Sequence, residues 1–225
     1  MTLSAETLEK LRAIDTPTVS NAVESFGVRP RTLGHTDASI ACMFPEMGVA
    51  LGYAVTFTTS EYAPGEERTH TSRIALYEAV AAAPRPCVLV QQDVGPRPRS
   101  ACLWGEIMSN LFSRLGAEGV VTDGVVRDLE EMRAAGFKTW CAGMTVSRGD
   151  VRVVAVNTPV SVGGMAVVPG DLIHADVSGA LVVPKEIAAE VPEAAGRVLA
   201  READLLDAIR ADEFSLEELV RRFYS

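Results

Sequence analysis

The 225-residue chain carries 21 basic against 30 acidic side chains, a formal charge of −9, and 48 % apolar residues. That much apolar content excludes a disordered chain and is enough for a real core, while the acidic balance, with no basic stripe, argues against nucleic acid as a partner, since phosphates would be repelled. The start lacks the basic and apolar blocks of a secretory signal, and no run of about 20 apolar residues offers a membrane span. With Cys42, Cys87, Cys102 and Cys141 scattered and no C-x-x-C, they read as reduced thiols in a cytoplasmic protein.

In chain order, residues 4–14 read as an amphipathic helix. "DTPTVSNAVESFG" predicts a second one, with Thr16 as cap, Pro17 in the first turn and Gly27 as stop. Residues 29–47 are irregular. "GVALGYAVTFTT" alternates as a strand, the polar "EYAPGEERTH" is a loop, and "TSRIALYEAVAAA" is a helix ended by Pro84. Residues 86–142 then read β-α-β-α-β: "CVLVQQD", "WGEIMSNLFSRLG", "GVVTDG", "VRDLEEMRAAG" and "KTWCAG". That order is the signature of parallel strands with crossover helices. From Val151 the pattern turns to strands with turn signals between them, "VRVVAVNTPV", "MAVVPGDLIHAD" and "GALVVP", which suggests antiparallel or barrel-like pairing. Terminal helices follow, with Pro192 interrupting the first. The whole, residues 1–225, reads as one α/β domain with mixed sheets and flanking helices.

Chemistry is expected beyond the carboxyl ends of the parallel strands. At one such place Gly105 lets a ligand approach the backbone, and the amides of Glu106, Ile107 and Met108 lack intrahelical acceptors and suit an anion. At the other, "TDGVVRD", the Arg127 fork suits a carboxylate, and Asp128 offers a hard oxygen to Mg²⁺. Taken alone, a plain glycine-capped helix start is the commoner explanation of the first, and a structural Arg–Asp pair of the second. Together they say more: twenty residues separate Glu106 from Arg127, one helix plus one strand, which returns the chain to the same face of the sheet. His35, His70 and His174 lie far apart, so no serine–histidine pair competes. "GGMAVVPGD" leads into a strand without Lys-Ser/Thr, and "GAEGVVTDG" is not G-x-G-x-x-G, so phosphate-loop and dinucleotide readings fail.

An acidic residue, twenty positions, then Arg-Asp is a pattern that resembles one family: the metal-dependent 4-hydroxy-4-methyl-2-oxoglutarate aldolases together with the regulators of ribonuclease E activity A, often mislabelled demethylmenaquinone methyltransferases. "GAEGVVTDGVVRD" carries the likeness most specifically, and "ALGYAVTF", "VVPGDLIHADVSGALVVP" and "READ" add to it. The resemblance implies an α/β fold of the swivelling β/β/α type, in trimers or hexamers with the site between subunits. It implies a lyase that releases pyruvate from a 4-hydroxy-2-oxo acid by retro-aldol cleavage and also decarboxylates oxaloacetate. Gly105, Ile107, Met108 and Arg127 would bind the 2-oxo acid. Asp128 would hold Mg²⁺ or Mn²⁺, Glu106 would act on the metal through a water, and Glu131, three residues after Asp128, is a further acidic candidate. Glu202 of "READ", from an adjacent subunit, is a looser match. Where the family has Asp, this chain has the longer Glu106, and its 61–70 and 93–104 loops, expected to border the substrate tail, depart from the usual pattern. Two other readings stay open: a protein-binding regulator without catalysis, against which the retained Asp128 counts, and a lyase for another 2-oxo or sugar acid.

Overall fold

Residues 2–63 and 65–224 are described by a computed structural model. Two short helices open the chain, α1 (Ala5–Arg12) and α2 (Thr16–Glu24). The Ser4 hydroxyl caps α1 by accepting from the Thr7 amide, and the Asp15 carboxylate caps α2 by accepting from the Thr18 amide. Thr16, expected as that cap, is the first helical residue instead. A carboxylate is the better acceptor at a positive helix end, and the Thr16 hydroxyl is engaged 2.9 Å from His174 Nδ1.

The central strands are β1 (Ala41–Cys42), β2 (Ala50–Glu61), β3 (Cys87–Asp93), β4 (Ala117–Thr122) and β5 (Lys138–Cys141). Between them lie α3 (Thr71–Ala82), α4 (Glu106–Arg114) and α5 (Leu129–Ala134). Strands β2, β3, β4 and β5 pair in parallel, as the alternation of strand and helix predicts. Antiparallel pairing takes over after residue 150: β6 (Val151–Val156), the β7 (Val160–Val162) and β8 (Met165–Val167) hairpin, then β9 (Leu172–Asp176) and β10 (Gly179–Val183). Two stretches expected as single strands each divide. Asn157, at φ 52°, separates β6 from β7, and Gly170, at φ 79°, turns the chain between β8 and β9. Asparagine and glycine are the residues that enter this left-handed region most cheaply.

The sheet runs β1-β5-β4-β3-β2-β9-β10. Strand β2 is long enough to serve two neighbours along one edge, β9 at residues 50–53 and β6 at residues 57–61. Its first ten residues are buried throughout, the mark of a strand covered on both faces. One face packs under α3, α4 and α5 around Phe57, Trp104, Phe112 and Phe137. Trp104 stacks on Phe137 at 5.5 Å and tilts against Phe112 at 5.3 Å. A second cluster joins α1 and α2 to the long α6 (Val191–Arg210), and a third lies under the β7–β8 hairpin. Pro192 begins α6 rather than interrupting it, because a first-turn proline gives up no helical hydrogen bond. The last helix is α7 (Leu216–Phe223). Among the described residues, no helix is long and apolar enough to cross a membrane.

All four parallel strands point their carboxyl ends the same way. The loops leaving β2 at Glu61, β3 at Asp93 and β4 at Thr122 therefore meet at one edge of the sheet.

Candidate active site

The loop from β4 into α5 is fixed on both sides. Val126 donates to Gly143 O (3.0 Å) and accepts from Thr145 N (2.9 Å), while the Arg127 amide donates to Trp104 O (3.2 Å). Trp104 is itself held below: its indole N–H donates to Gln91, whose amide donates to Thr59 Oγ1 at 2.7 Å. The chain just before α4 and the chain just after β4 are thus laid side by side.

Asp128 sits at this junction with φ 55° and ψ 49°. A left-handed conformation costs a non-glycine residue roughly 1–2 kcal/mol. Asp128 stands at the cap position of α5 without capping it. Its carboxylate turns back to α4, where Oδ2 accepts from the Glu106 amide at 3.2 Å and lies 3.5 Å from Arg127 Nε. A side chain at position 105 would prevent this, since a Cβ there would stand 2.5 Å from Asp128 Oδ2 and 3.3 Å from Arg127 Cγ. Gly105 is in extended backbone, φ −176°, so close approach and not conformation demands glycine here.

Gly105, Glu106, Ile107, Met108, Arg127 and Asp128 all line one cleft of about 360 Å³. The separate sequence signals do converge, and Arg127 and Asp128 stay about one-third exposed instead of closing into a buried pair. One detail differs from expectation. Of the three first-turn amides, that of Glu106 is already taken by Asp128, which leaves those of Ile107 and Met108 as the ones without an acceptor among the described residues. Glu131 is exposed on α5, outside the cleft lining, and Glu202 is exposed on α6, where it accepts from Asn21 Nδ2 at 3.3 Å. Cys102 lines the cleft, but burial pushes its thiol up to about 11, so it is protonated and a poor nucleophile. Trp104 lies beneath the floor, buried.

A further stretch of the wall was foreseen only in part: the 61–70 loop was expected to border the substrate, the segment leading into β6 was not. It comes from the loop after β2 and the segment leading into β6, which the Tyr62 amide joins by donating to Asp150 O at 2.9 Å. Arg68, Arg73, Arg148 and Arg152 stand there. Each was visible as an arginine, Arg68 and Arg148 in loops, Arg73 in the α3 stretch and Arg152 in the β6 stretch, but antiparallel pairing of β6 with the end of β2 had to be known before the two segments could be placed together. Asp123 was conspicuous in sequence and lies outside this cleft. Its Oδ1 accepts from the Asp93 amide at 2.7 Å, and desolvation pushes its carboxyl up to about 6.

The donor set fits a sparsely held divalent cation. Among the described residues no three His, Cys, Asp or Glu side chains converge, which does not suit a structural zinc site. Asp128 Oδ1 carries no hydrogen bond among the described residues, and Glu106 lines the same cleft. One or two carboxylates with waters completing the sphere is the usual way Mg²⁺ is held.

Comparison with known proteins agrees on the scaffold. A model of the RraA-like family, described as Aldolase/RraA, matches residues 16–182. DlpA of Legionella pneumophila is 29 % identical over 187 residues, which are 82 % of this chain and 28 % of that protein. A Halalkalibacterium halodurans protein, whose name gives 4-hydroxy-4-methyl-2-oxoglutarate aldolase as a provisional activity, is 31 % identical over 52 % of this chain and 58 % of its own. The chain thus spans from about a quarter to rather over half the length of these two curated relatives. Among solved structures, an uncharacterised protein of Pseudomonas syringae superposes with a TM-score of 0.76 at 26 % identity, covering 98 % of this chain and 95 % of the other. RraAS2 of Streptomyces coelicolor, described as an unusual member of the RNase ES inhibitor RraA family, superposes with a TM-score of 0.71 at 26 % identity, covering 90 % and 96 %.

Proposed function

This chain belongs to the RraA-like family, and from that premise we propose that it is a divalent-metal-dependent lyase that cleaves a 4-hydroxy-2-oxo acid to pyruvate. The observation that carries the reading is the meeting of Arg127, Asp128 and the first turn of α4 on one open cleft. The names of its aldolase relatives support the reaction class.

Mg²⁺ or Mn²⁺, held by Asp128 with Glu106 acting through a water, would supply Lewis-acid polarisation of the 2-oxo group when bound. The amides of Ile107 and Met108 and the Arg127 fork would hold the 1-carboxylate and orient the substrate. Glu106 would accept the proton of the 4-hydroxyl, directly or through a water. As that proton leaves, the C3–C4 bond breaks, C4 becomes a carbonyl, and its bonding electrons pass into the enolate of pyruvate. Arg127 stabilises the developing oxyanion, and protonation at C3 completes the release. Oxaloacetate would reach the same enolate by losing CO₂. No lysine is among the described residues of the cleft lining, so nothing there favours a Schiff-base route.

Purified protein with Mg²⁺ or Mn²⁺ should release pyruvate from a panel of 4-hydroxy-2-oxo acids and from oxaloacetate, read by coupling to lactate dehydrogenase. Chelation with EDTA should stop it, and Asp128→Ala should remove nearly all turnover. Absence of pyruvate from the whole panel at saturating metal would overturn the reading. We extend the proposal to a ring of three or six copies, with Glu202 of a neighbouring copy completing the cleft. Sedimentation would measure the mass of the ring, and Glu202→Gln its contribution to turnover. A second reading, inhibition of an RNase E-type ribonuclease without catalysis, draws on the Streptomyces likeness. It predicts that the protein slows such a nuclease and that Asp128→Ala still does so.

A further inference from the structure

Cleavage leaves the enolate of pyruvate, whose C3 must take up a proton before the product departs. The roles assigned so far name no donor for it. Besides arginines, which keep their protons, the titratable side chains described on the cleft lining are Tyr62, His70, Cys102, Glu106, Asp128 and Asp150. Five of them are engaged. The Tyr62 hydroxyl donates to Thr69 O at 2.7 Å and accepts from the Thr69 amide at 3.1 Å. The Cys102 thiol donates to Ser147 O at 3.5 Å, and burial keeps it protonated. Asp150 pairs with Arg68. Asp128 is assigned to the cation, and Glu106 to the 4-hydroxyl proton.

His70 is the sixth. It is exposed, and neither ring nitrogen has a hydrogen-bond partner among the described residues. Its backbone, by contrast, is pinned. Tyr62 grips the neighbouring Thr69 through both N–H and C=O, and the Tyr62 amide is itself tied to Asp150 O. The His70 carbonyl accepts from the Ile74 amide at 2.9 Å as α3 begins, and Arg73 in the first turn donates to Val151 O at 2.7 Å. His70 stands at the cap position of α3 without capping it. Thr69, Thr71 and Ser72 beside it are better caps, so helix stability does not account for a histidine there. At about 360 Å³ the cleft is at the small end for a ligand site, and a substrate held at Arg127 fills much of it. An imidazole donates or accepts at either nitrogen and is the side chain best suited to trading protons near neutral pH.

We propose that His70 is a catalytic acid that protonates C3 of the enolate. This inference rests on the lyase reading and supplies the step that reading leaves open. The enolate electron pair forms the new C3–H bond, the N–H bond of the imidazolium breaks, and its electrons stay on nitrogen to leave neutral imidazole. Solvent, to which His70 is open, returns the proton. Glu106 gives up to solvent the proton taken from the 4-hydroxyl, so both groups are reset at the end of a turnover. In the reverse sense, neutral His70 takes a proton from the methyl group of bound pyruvate.

That reverse step is the test. Pyruvate with Mg²⁺ and the protein in D₂O is followed by proton NMR of the methyl group. The wild type should exchange it, and His70→Gln should do so about 100-fold more slowly, the usual contribution of a general acid or base. Pyruvate affinity by titration calorimetry should stay within about threefold, and the thermal melt should not move, since His70 is exposed. His70→Ala should be equally slow, and added imidazole should restore at least about tenfold of the rate, which a merely structural role would not allow. Exchange within about threefold of wild type in both variants overturns His70 and spares the lyase reading. Slow exchange with an equal loss of pyruvate affinity and no rescue by imidazole also overturns it. So does pyruvate release by a wild type that never exchanges, because an acid that protonates C3 must take that proton back. If exchange depends on His70 but no 4-hydroxy-2-oxo acid and no oxaloacetate is cleaved, the lyase reading falls and His70 stands as a proton carrier. If the wild type neither exchanges nor cleaves, both fall.

Discussion

Replacing Gly105 by alanine tests the site more sharply than removing a charged group does. Alanine adopts an extended φ of −176° without strain, so the backbone of α4 has no reason to move. The new Cβ would lie 2.5 Å from Asp128 Oδ2. An ordinary contact needs at least about 3.4 Å, so the carboxylate must retreat by roughly 0.9 Å. Its bond to the Glu106 amide, 3.2 Å long, would then stretch beyond hydrogen-bonding range. A bond to a charged group contributes about 1.5–3 kcal/mol, but Asp128 is about one-third exposed and water replaces part of it. Loss of stability should therefore stay near 1 kcal/mol, a fall in Tm of about 2–4 °C for a chain of this size. Turnover should suffer far more. A 1 Å misplacement in a catalytic constellation costs on the order of 100-fold. The assay is pyruvate release at saturating metal beside a thermal melt of the same preparation. If Gly105→Ala keeps kcat/KM within about threefold of wild type, the position of the Asp128 carboxylate does not matter and the proposed chemistry is placed wrongly.

Arg127→Lys keeps a cation and loses the fork, so kcat should fall about tenfold, while Arg127→Ala should lose about 100-fold; equal activity of all three in the pyruvate assay would remove Arg127 from the mechanism. EDTA-treated protein should regain activity with Mg²⁺ or Mn²⁺, and its melting curve should move little, because the fold around Asp128 is held by the Val126 and Arg127 backbone bonds; a large Tm loss on chelation would mean that the metal is structural. Two buried groups should act on stability in opposite senses below about pH 6.5 and leave it level above. Burial holds the His174 imidazole below its ordinary value, so the unfolded chain takes up the proton first and stability drops as pH falls through about 6.5. Asp123 gives the opposite arm: its folded carboxyl is raised to about 6 by desolvation, so stability declines as pH rises through about 4 to 6 and stays lower above. Asp123→Asn keeps an acceptor for the Asp93 amide and should raise Tm at pH 8, by about 1–2 kcal/mol of stability, with little change at pH 4; an unchanged melt at pH 8 would refute the assignment.

What could be read from the sequence follows from the range over which each signal acts. The crossover order of residues 86–142 was legible because periodicity, glycine stops and strand lengths are local, and local rules place β3, β4 and β5 in parallel with their carboxyl ends together. Glu106, Arg127 and Asp128 could be brought to one edge by that topology alone. Two things were hidden. The first is Asp128: at the start of α5 an aspartate ordinarily caps its own helix, yet here the left-handed backbone swings the carboxylate to α4, a conformation that depends on Gly143 and Trp104, which lie far off in sequence. The second is the arginine wall, which exists only because β6 returns antiparallel to the end of β2 and brings residue 150 beside residue 62. The same cause lies behind both failures. A side chain's role is set by where its neighbours' backbone runs, and pairing between distant strands decides that. The part of the site that short-range rules could place is the part that would grip the common 2-oxo acid head. The part they could not place is built where loops run into α3 and β6; insertion and charge reversal in those loops leave the sheet undisturbed, and substrate preference would be altered there without touching Arg127 or Asp128.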